Sequence, residues 1–454
     1  MIHFTNLSRS LEIGSNCYLL DMEGSRVILD SGMHPKKEGS EACPEHALIG
    51  AADPDAIFIT HAHLDHIGTL PLLQDRYPAA EVLMTEGTAA IGDAMLHNSV
   101  NVMTAKRTQD GIVEYPLFTH GELQRAVRNW VPRPYNSPFR TGRGGQLLAT
   151  LYDAGHILGS CGVMLEAPSG TTVFYTGDVQ FDNQTLIEGA DFPERGVDIL
   201  IMECTHGATE RAADYSRAKE MRRFADTIRE VLEGGGAVLI PVFALGKSQC
   251  LLCELGRFKK RGLIPDVPIY FGGLSSKITA IYDKLADSTP RLMPGYRLAE
   301  QVETHGLPKQ GREPLVASPG NIYLVSSGMM SEHTVSHKLA EQIITHPRDA
   351  ILLVGYSDPE SPAGIIRAAA PGEPVQLSAK GGQKYPLNCR VERFDFSGHA
   401  TRRALVDYAR RLAPRKVLLV HGDAEALEEM RRAVSAALPQ SEVIVPEPGR
   451  SMAL

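Results

Sequence analysis

The chain has 454 residues, of which 43% are hydrophobic and 22% charged, a composition that is ordinary for a globular protein with a sizeable core. The net charge of −8 does not favour a protein that binds nucleic acid through a general excess of basic residues. The N-terminus has no basic segment followed by an apolar stretch, and no run of about 20 apolar residues occurs, so we predict no signal peptide, no membrane span and a cytoplasmic location.

The first predicted strands each end in residues that can bind or orient a metal. A strand predicted at residues 27–29 leads directly to Asp30, and another at residues 56–60 leads to the segment His-Ala-His-Leu-Asp-His at residues 61–66. This segment places three imidazoles and a carboxylate in one short turn, and zinc takes both kinds of ligand. The first two histidines alternate and can face one ion, so that the pair Asp65 and His66 turns towards a second. A polar loop with surface histidines is the alternative, and four donors in six residues argue against it.

Candidate ligands recur farther along the chain in the same context. Strands predicted at residues 172–175, 199–202 and 417–420 lead to Asp178, Glu203 and His421, and a loop of small residues carries His156. In layered α/β folds, side chains that bind ligands gather at the carboxyl ends of strands. A lone histidine after a strand is more often a core or surface residue than a ligand, but the repeated pattern indicates one metal centre.

The gap between candidate ligands predicts an inserted domain. After Glu203 the next candidates are His399 and His421, and the intervening chain has an α/β pattern of its own. Its predicted helices span residues 216–232 and 247–256, and its predicted strands span residues 237–242, 269–271, 322–325 and 351–354. We therefore predict a first domain in two parts, residues 1–205 and 391–454, and a second domain at residues 206–390.

These motifs together resemble those of the β-CASP group of metallo-β-lactamase-fold hydrolases, which contains the cleavage-and-polyadenylation endonuclease and ribonuclease J. The resemblance covers nearly the whole chain and rests on residues 61–66, Gly155-His156, Gly177-Asp178, Glu203, residues 241–246, Ser326-Ser327-Gly328-Met329, residues 396–400 and residues 420–422. The first motif marks the broad superfamily, whereas the late pair His399 and His421 is more specific. The resemblance implies a four-layer αββα metallo-β-lactamase fold with an inserted α/β β-CASP cap domain.

The same resemblance implies two Zn²⁺ ions per chain and a role for each ligand. One ion would be held by His61, His63 and His156, the other by Asp65, His66 and His421, with Asp178 bridging both. A hydroxide between the ions would attack phosphorus, because metal binding lowers the pKa of water towards neutrality.

Further residues receive catalytic or binding roles from the resemblance. Asp65, Glu203 and His399 are expected to be catalytic, with His399 as the general acid and Glu203 orienting it. Asp30 is expected to hydrogen-bond a ligand histidine or the loop that carries it. The residues expected to contact phosphate or substrate are Lys247, Ser326, Ser327 and Gly328.

Among the positions that depart from the pattern of the group are two at or beside predicted site residues. His206 stands where an aromatic residue is usual, which leaves metal binding untouched but alters the surroundings of Glu203. Lys247 stands where arginine is frequent, and a lysine meets a phosphate as a point charge rather than as a fork. A solvated lysine at the start of a helix is an equally good interpretation of Lys247.

The leading hypothesis is a zinc-dependent ribonuclease of RNA processing or decay that acts on single-stranded RNA, with endonuclease cleavage favoured over exonuclease cleavage. Members of the group that act on RNA tend to keep a histidine where His421 stands, whereas several DNA-directed members have an apolar residue there. The alternatives are a DNA nuclease, another hydrolase of the same fold, and a non-catalytic scaffold, which would be expected to lose metal ligands. Relatives in the group often dimerise, so a homodimer is the expected assembly.

Overall fold

Two units make up the computed structural model, which describes residues 1–212, 214–307, 315–378 and 381–454. The first unit comprises Met1–Asn183, Ile187–Arg211 and His399–Leu454, and the second comprises Gln184–Leu186 and Ala212–Gly398. The first unit is therefore discontinuous in sequence, and the intervening chain builds the second. The domain boundaries that we placed after residues 205 and 390 are a finer statement and stay a prediction.

The strands are short, and most are apolar. In chain order they are β1 (Ile2–Asn6), β2 (Tyr18–Met22), β3 (Ser25–Leu29), β4 (Ala56–Phe58), β5 (Glu81–Met84), β6 (Trp130–Pro132), β7 (Phe139–Thr141), β8 (Leu147–Asp153), β9 (Cys161–Glu166), β10 (Thr172–Tyr175), β11 (Ile199–Glu203), β12 (Val238–Pro241), β13 (Ile269–Tyr270), β14 (Ile322–Val325), β15 (Ala350–Leu353), β16 (Pro374–Gln376), β17 (Lys384–Pro386), β18 (Arg390–Arg393), β19 (Lys416–Val420), β20 (Glu442–Ile444) and β21 (Ser451–Ala453).

The helices range from a single turn to seven turns. They are α1 (Leu64–Ile67), α2 (Leu70–Arg76), α3 (Glu86–Asp110), α4 (His120–Val127), α5 (Arg217–Glu233), α6 (Lys247–Lys260), α7 (Leu274–Lys284), α8 (Leu298–Gln301), α9 (Val335–Ile343), α10 (Pro362–Ala368), α11 (Arg402–Leu412) and α12 (Ala424–Ala437), with short 3₁₀ turns at Gly39–Ala42, His46–Ile49 and Arg143–Gly145. Several begin after a serine or threonine whose side chain accepts a hydrogen bond from a backbone amide of the first turn, as Ser216 does from Lys219. None of the helices in the described residues combines the length and the hydrophobicity that crossing a bilayer would need.

Two seven-stranded sheets pack face to face in the first unit. Their strand orders are β21-β1-β2-β3-β4-β5-β6 and β20-β19-β11-β10-β9-β8-β7. Alternate residues of each strand fill the core between the sheets, for example Leu29 and Phe58 from one sheet and Tyr175 and Ile201 from the other. Helices α1 to α4 cover the outer face of the first sheet, and α11 and α12 cover that of the second. This arrangement confirms the predicted αββα layers.

Both faces of the central strands are buried, which explains their continuous apolar runs. In β10, Val173 and Tyr175 face the core between the sheets, whereas Phe174 packs beneath the outer helices. Strands covered on both faces have no solvent side on which polar residues would alternate. For this reason the strands predicted from apolar runs at residues 172–175 and 322–325 have the bounds observed for β10 and β14.

Parallel pairing brings the ends of six strands to two sheet edges. Strands β3, β4 and β5 run parallel to one another in the first sheet, as do β10, β11 and β19 in the second. The predicted strand at residues 56–60 is two residues too long, because the backbone amide of Thr60 donates to the carboxylate of Asp30 instead of to a neighbouring strand. The loop that carries His61 and His63 begins where the chain leaves the hydrogen-bond ladder of the sheet.

The second unit is built on a parallel sheet of its own. Its strand order is β13-β14-β12-β15-β18, and every neighbouring pair is parallel. Helix α6 follows β12 and begins at Lys247 as predicted, but it continues to Lys260 rather than to residue 256. Cys250 and Cys253 are buried in this helix, which agrees with a packing role rather than metal binding.

Candidate metal centre

The predicted metal ligands of the first unit converge at the carboxyl ends of its parallel strands. The loop after β4 carries His61 and His63, and helix α1 continues it with Asp65 and His66. From the second sheet, Asp178 follows β10 and His421 follows β19. The loop between β8 and β9 supplies His156. Two groups of side chains that could each hold a metal ion result: His61, His63, His156 and Asp178, and Asp65, His66 and His421.

The first group is a nitrogen-rich cage around one carboxylate oxygen. Oδ2 of Asp178 lies 3.5 Å from Nε2 of His61 and 3.6 Å from Nε2 of His156. Nδ1 of His63 lies 3.1 Å from each of those two Nε2 atoms. Three imidazoles and a carboxylate within reach of one point match the tetrahedral donor set that zinc prefers.

The second group faces the other oxygen of the same carboxylate. Oδ1 of Asp178 lies 3.3 Å from Nε2 of His66 and 3.4 Å from Nδ1 of His421. Oδ2 of Asp65 completes the group, 3.3 Å from Nε2 of His421. Asp178 therefore presents one oxygen to each group, which is the position of a bridging ligand.

Asp178 also supplies a test of whether this centre fits a metal. Its Oδ1 atom is buried and makes no hydrogen bond of good geometry within the described residues; the ring nitrogens of His66 and His421 lie 3.3 and 3.4 Å from it. An unsatisfied buried carboxylate oxygen costs free energy, and coordination of a cation removes that cost. The residues present therefore fit a pair of metal ions.

Hydrogen bonds behind the ligands fix which imidazole nitrogen faces the centre. Nδ1 of His66 lies 2.8 Å from Oδ2 of Asp30, which also accepts a hydrogen bond from the hydroxyl of Tyr175 at 2.8 Å. Nδ1 of His61 lies 3.1 Å from Oγ1 of Thr60. When Nδ1 is held in this way, Nε2 is left to bind metal. Asp30 thus bonds His66, one of the candidate ligands.

Two of the site residues adopt a left-handed backbone conformation that non-glycine residues rarely adopt. Asp30 has φ 61° and His421 has φ 51°. Such conformations cost free energy and concentrate at functional sites. Gly177 (φ 54°) allows the tight turn before Asp178, because a Cβ at this position would lie 2.8 Å from Cβ of Thr60.

A third group joins the metal centre to a histidine–glutamate pair. Asp178, Glu203 and His399 lie together, and Nδ1 of His399 is 3.2 Å from both carboxylate oxygens of Glu203. Backbone amides of Val179 and Thr205 donate to Glu203 at 2.7 and 3.3 Å. Glu203 is held rigidly as a result, and it fixes the His399 ring with Nδ1 turned inward.

Burial and charge act in opposite directions on the titrating groups. Burial alone would lower the pKa of His399, but the carboxylates of Glu203 and Asp178 outweigh it and raise that pKa to about 9. Burial would raise the pKa of Asp65, but His66 and His421 lower it to about 2. Burial keeps the pKa of His61 well below its ordinary value, so this imidazole is neutral. Burial would also lower the pKa values of His66 and His421, but Asp178 and neighbouring carboxylates raise both above the ordinary value, so a divalent cation must displace a proton there.

The residues expected to contact phosphate belong to the second unit. Lys247 is the first residue of α6, and Ser326, Ser327 and Gly328 follow β14. All four therefore lie at the carboxyl ends of parallel strands β12 and β14. Lys247 and Gly328 line a common depression, described below.

Sequence reasoning missed three residues that support the ligands. These are Thr60, Tyr175 and Thr205, of which Thr205 places Oγ1 2.9 Å from Nδ1 of His421. Each stands within three residues of a ligand or of Glu203, and each carries a hydroxyl. A search for hydroxyl side chains beside the predicted ligands would have found all three.

The layered fold and the paired donor groups define a dinuclear metalloprotein of the α/β class. Comparison with protein families places residues 12–217 in the metallo-beta-lactamase superfamily and residues 248–366 in the Beta-Casp domain. Residues 384–446 match a domain described as a Zn-dependent metallo-hydrolase RNA specificity domain. The chain belongs to the β-CASP group of the metallo-β-lactamase superfamily, which implies a dinuclear metal site.

Curated relatives extend the likeness over nearly all of the chain. Cleavage and polyadenylation specificity factor 73 of Drosophila melanogaster is 29% identical over 96% of this chain and 62% of its own length. Endoribonuclease ysh1 of Schizosaccharomyces pombe is 28% identical over 98% of this chain and 57% of its own length. An RNase J-like protein of Methanocaldococcus jannaschii is 28% identical over 91% of this chain and 90% of its own length. The chain thus spans less than two thirds of the length of the first two.

A solved structure supports the fold independently. The crystal structure of a protein of unknown function from Enterococcus faecalis V583 matches with a TM-score of 0.56 over the whole of both chains. Its sequence is 14% identical, so this likeness concerns the fold alone.

Proposed function

We propose that this protein is a zinc-dependent ribonuclease that hydrolyses phosphodiester bonds of RNA. The observation that carries the proposal is the position of Asp178, which turns one carboxylate oxygen to each donor group and lies 4.0 Å from Nδ1 of His399. The printed names of the relatives, an endoribonuclease and an RNase J-like protein among them, favour RNA as the substrate.

Zinc is the metal that the donor atoms favour. One group offers three imidazoles and a carboxylate, and the other offers two imidazoles with a carboxylate besides Asp178. Imidazole-rich sets suit zinc, whereas magnesium and calcium take oxygen ligands. When bound, a pair of such ions lowers the pKa of water towards neutrality and neutralises charge that develops on phosphoryl oxygens.

The chain itself supplies the proton for the leaving group. His399 holds Nδ1 against Glu203, so the proton on Nε2 is the one available to a departing oxygen. Its side chain is 21% exposed, whereas that of Glu203 is 1% exposed. A substrate can therefore reach the imidazole, while the carboxylate acts only by orienting it and by stabilising its charged form.

Cleavage of end-labelled single-stranded RNA, resolved on a denaturing gel with added zinc, tests the proposal. Internal fragments that disappear in Asp178→Ala would show endonuclease activity, the mode that we favour. Release of mononucleotides from one end would make the protein an exonuclease. Matched single-stranded DNA is the control for substrate class, and cutting of DNA with RNA spared would contradict the proposal.

A further inference from the structure

A shallow depression lies on the second unit, at the carboxyl edge of its parallel sheet. It is lined by Pro241, Val242, Phe243, Lys247, Gly328, Leu353, Val354, Gly355, Tyr356 and Ser357. The depression is open to solvent, so a flat group can rest in it without being enclosed.

Two aromatic side chains in this depression are exposed to solvent. Phe243 is 39% exposed and Tyr356 is 60% exposed, and they are the only Phe, Tyr or Trp side chains among the exposed large hydrophobic residues of the described chain. The others are scattered aliphatic side chains, whereas these two share one surface. Exposed apolar groups that cluster in this way mark binding sites more often than singly exposed residues do.

The Phe243 ring lies against the backbone at two glycines. A Cβ atom added to Gly328 would lie 3.3 Å from Cδ2 of Phe243, and one added to Gly355 would lie 3.8 Å from Cε2. The ring therefore packs against two glycines and still keeps an exposed surface. The carbonyl of Phe243 also accepts a hydrogen bond from Oγ of Ser248, 2.8 Å away. A ring fixed before binding loses little conformational entropy when a ligand stacks on it.

The positive charge beside the aromatic rings indicates which kind of ligand binds there. Lys247 is the one ionisable side chain among the lining residues, apart from the Tyr356 phenol, and it is the first residue of the 14-residue helix α6. Its ammonium group and the positive end of the helix dipole both favour an anion. A cation beside exposed aromatic rings is the combination that binds single-stranded nucleic acid, with bases on the rings and phosphates on the cation.

We propose that Phe243, Lys247 and Tyr356 form a stacking platform that binds a nucleotide of single-stranded RNA. Bases stack on the two rings, and Lys247 meets the adjoining phosphate. The inference rests on the proposed ribonuclease function, which it deepens by naming the substrate as unpaired and bound without regard to base identity. Stacking tolerates every base because each has an aromatic face, and a base-paired strand does not offer its faces to a protein surface.

Binding of labelled oligonucleotides to the full chain, measured by fluorescence anisotropy, tests the platform. All variants carry Asp178→Ala so that RNA stays intact during titration. The two probes are a short single-stranded RNA and a strand of the same length in which abasic sites replace the bases. Phe243→Ala should weaken RNA binding by about 5-fold to 150-fold, the range for one stacked base, and should leave binding of the abasic strand almost unchanged.

Companion variants separate stacking from other effects. Phe243→Trp should restore RNA binding and Phe243→Leu should not, because leucine fills space without an aromatic face. Lys247→Ala should weaken the binding of both probes and lower the salt dependence of that binding. Val316→Ala is the matched control, since Val316 is 61% exposed in the same unit but does not line the depression.

Four outcomes would contradict the proposed platform. Equal losses on both probes, wild-type binding by Phe243→Leu, no change on Phe243→Ala, or failure of the RNA to bind would each do so. Cleavage by the protein with Asp178 intact is scored separately. RNA binding that depends on Phe243 without any cleavage would support the platform and refute the proposed ribonuclease function. Cleavage of RNA without any dependence of binding on Phe243 would support the ribonuclease function and refute the platform.

Discussion

Asp30→Asn should weaken binding of one metal ion and leave the other in place. Oδ2 of Asp30 lies 2.8 Å from Nδ1 of His66, so the carboxylate accepts the proton on Nδ1 and leaves Nε2 free to bind metal. Oδ1 accepts from the backbone amide of Thr60 at 2.8 Å. Asparagine can keep the bond to Thr60 only by turning its NH₂ group towards His66, which must then accept at Nδ1 and carry its proton on Nε2.

The expected loss of metal affinity follows from the loss of the His66 tautomer that carries its proton on Nδ1. Residues that orient a ligand histidine typically contribute 10-fold to 100-fold in metal affinity, so the ion bound by Asp65, His66 and His421 should weaken by about that factor. The ion at His61, His63 and His156 should keep its affinity, because none of those imidazoles bonds Asp30. The metal-free variant should also lose about 1.5–3 kcal/mol of unfolding free energy, the range for hydrogen bonds to charged groups.

Competitive titration with a chromophoric zinc chelator resolves two affinities and measures the effect. Tyr175→Phe is the matched control, because it removes another donor to the same Oδ2 atom without changing the acceptor that faces His66. It should destabilise the fold by about 1.5–3 kcal/mol, as expected for loss of a hydrogen bond to a carboxylate, and leave both metal affinities close to those of the wild type. Equal weakening of both ions by Asp30→Asn, or an equal effect of Tyr175→Phe on the affinities, would refute the tautomer argument.

Three further predictions follow from the same geometry. His399→Ala should lower the cleavage rate by about 10²-fold to 10⁴-fold, as expected for loss of a general acid, with metal content by mass spectrometry unchanged; loss of metal would make His399 a ligand instead. Removal of metal by a chelator should lower the melting temperature measured by calorimetry, since the buried Oδ1 of Asp178 then has no hydrogen-bond partner among the described residues, and zinc should restore it. Burial and the nearby Asp191 and Glu188 outweigh a backbone hydrogen bond from Gly155 and raise the pKa of Asp153 from 3.8 to about 7. The folded chain then holds a proton that the unfolded chain has lost, so stability should fall as pH rises from about 4 to 7, by at most about 4 kcal/mol. Asp153→Asn should flatten that slope in denaturant titrations and stabilise the protein at pH 8, and an unchanged slope would show that Asp153 does not cause it.

Local sequence patterns could predict most of the candidate ligands because these residues follow apolar runs. A buried strand is recognised from its composition, and the side chains just past its end are then placed at a sheet edge. The predicted ligands of both metal groups lie at such an edge or in the loop that carries His156. The sequence pattern could not show which oxygen of Asp178 faces which group, since that depends on the turn at Gly177.

Local sequence patterns could not predict contacts between residues that lie far apart in the sequence. Tyr175 bonds Asp30 across 145 positions of the chain, and Phe243 and Tyr356 share a surface only because β12 and β15 are neighbours in the sheet. The length of helix α3, Glu86–Asp110, is a further feature that the local sequence pattern does not determine. The small and polar residues of α3 give a weak helical periodicity, so packing against the first sheet rather than local pattern sets its length.

The third donor group shows how the fold can keep the proposed proton donor, His399, distinct from a metal ligand. Asp178, Glu203 and His399 could by proximity alone hold an ion. Glu203, however, already accepts two backbone amides and Nδ1 of His399, so an ion there would have to displace bonds that are made. Oδ1 of Asp178 lacks such bonds within the described residues. A cation therefore gains most beside Asp178, whereas the satisfied carboxylate of Glu203 is better suited to hold the His399 imidazole in its charged form.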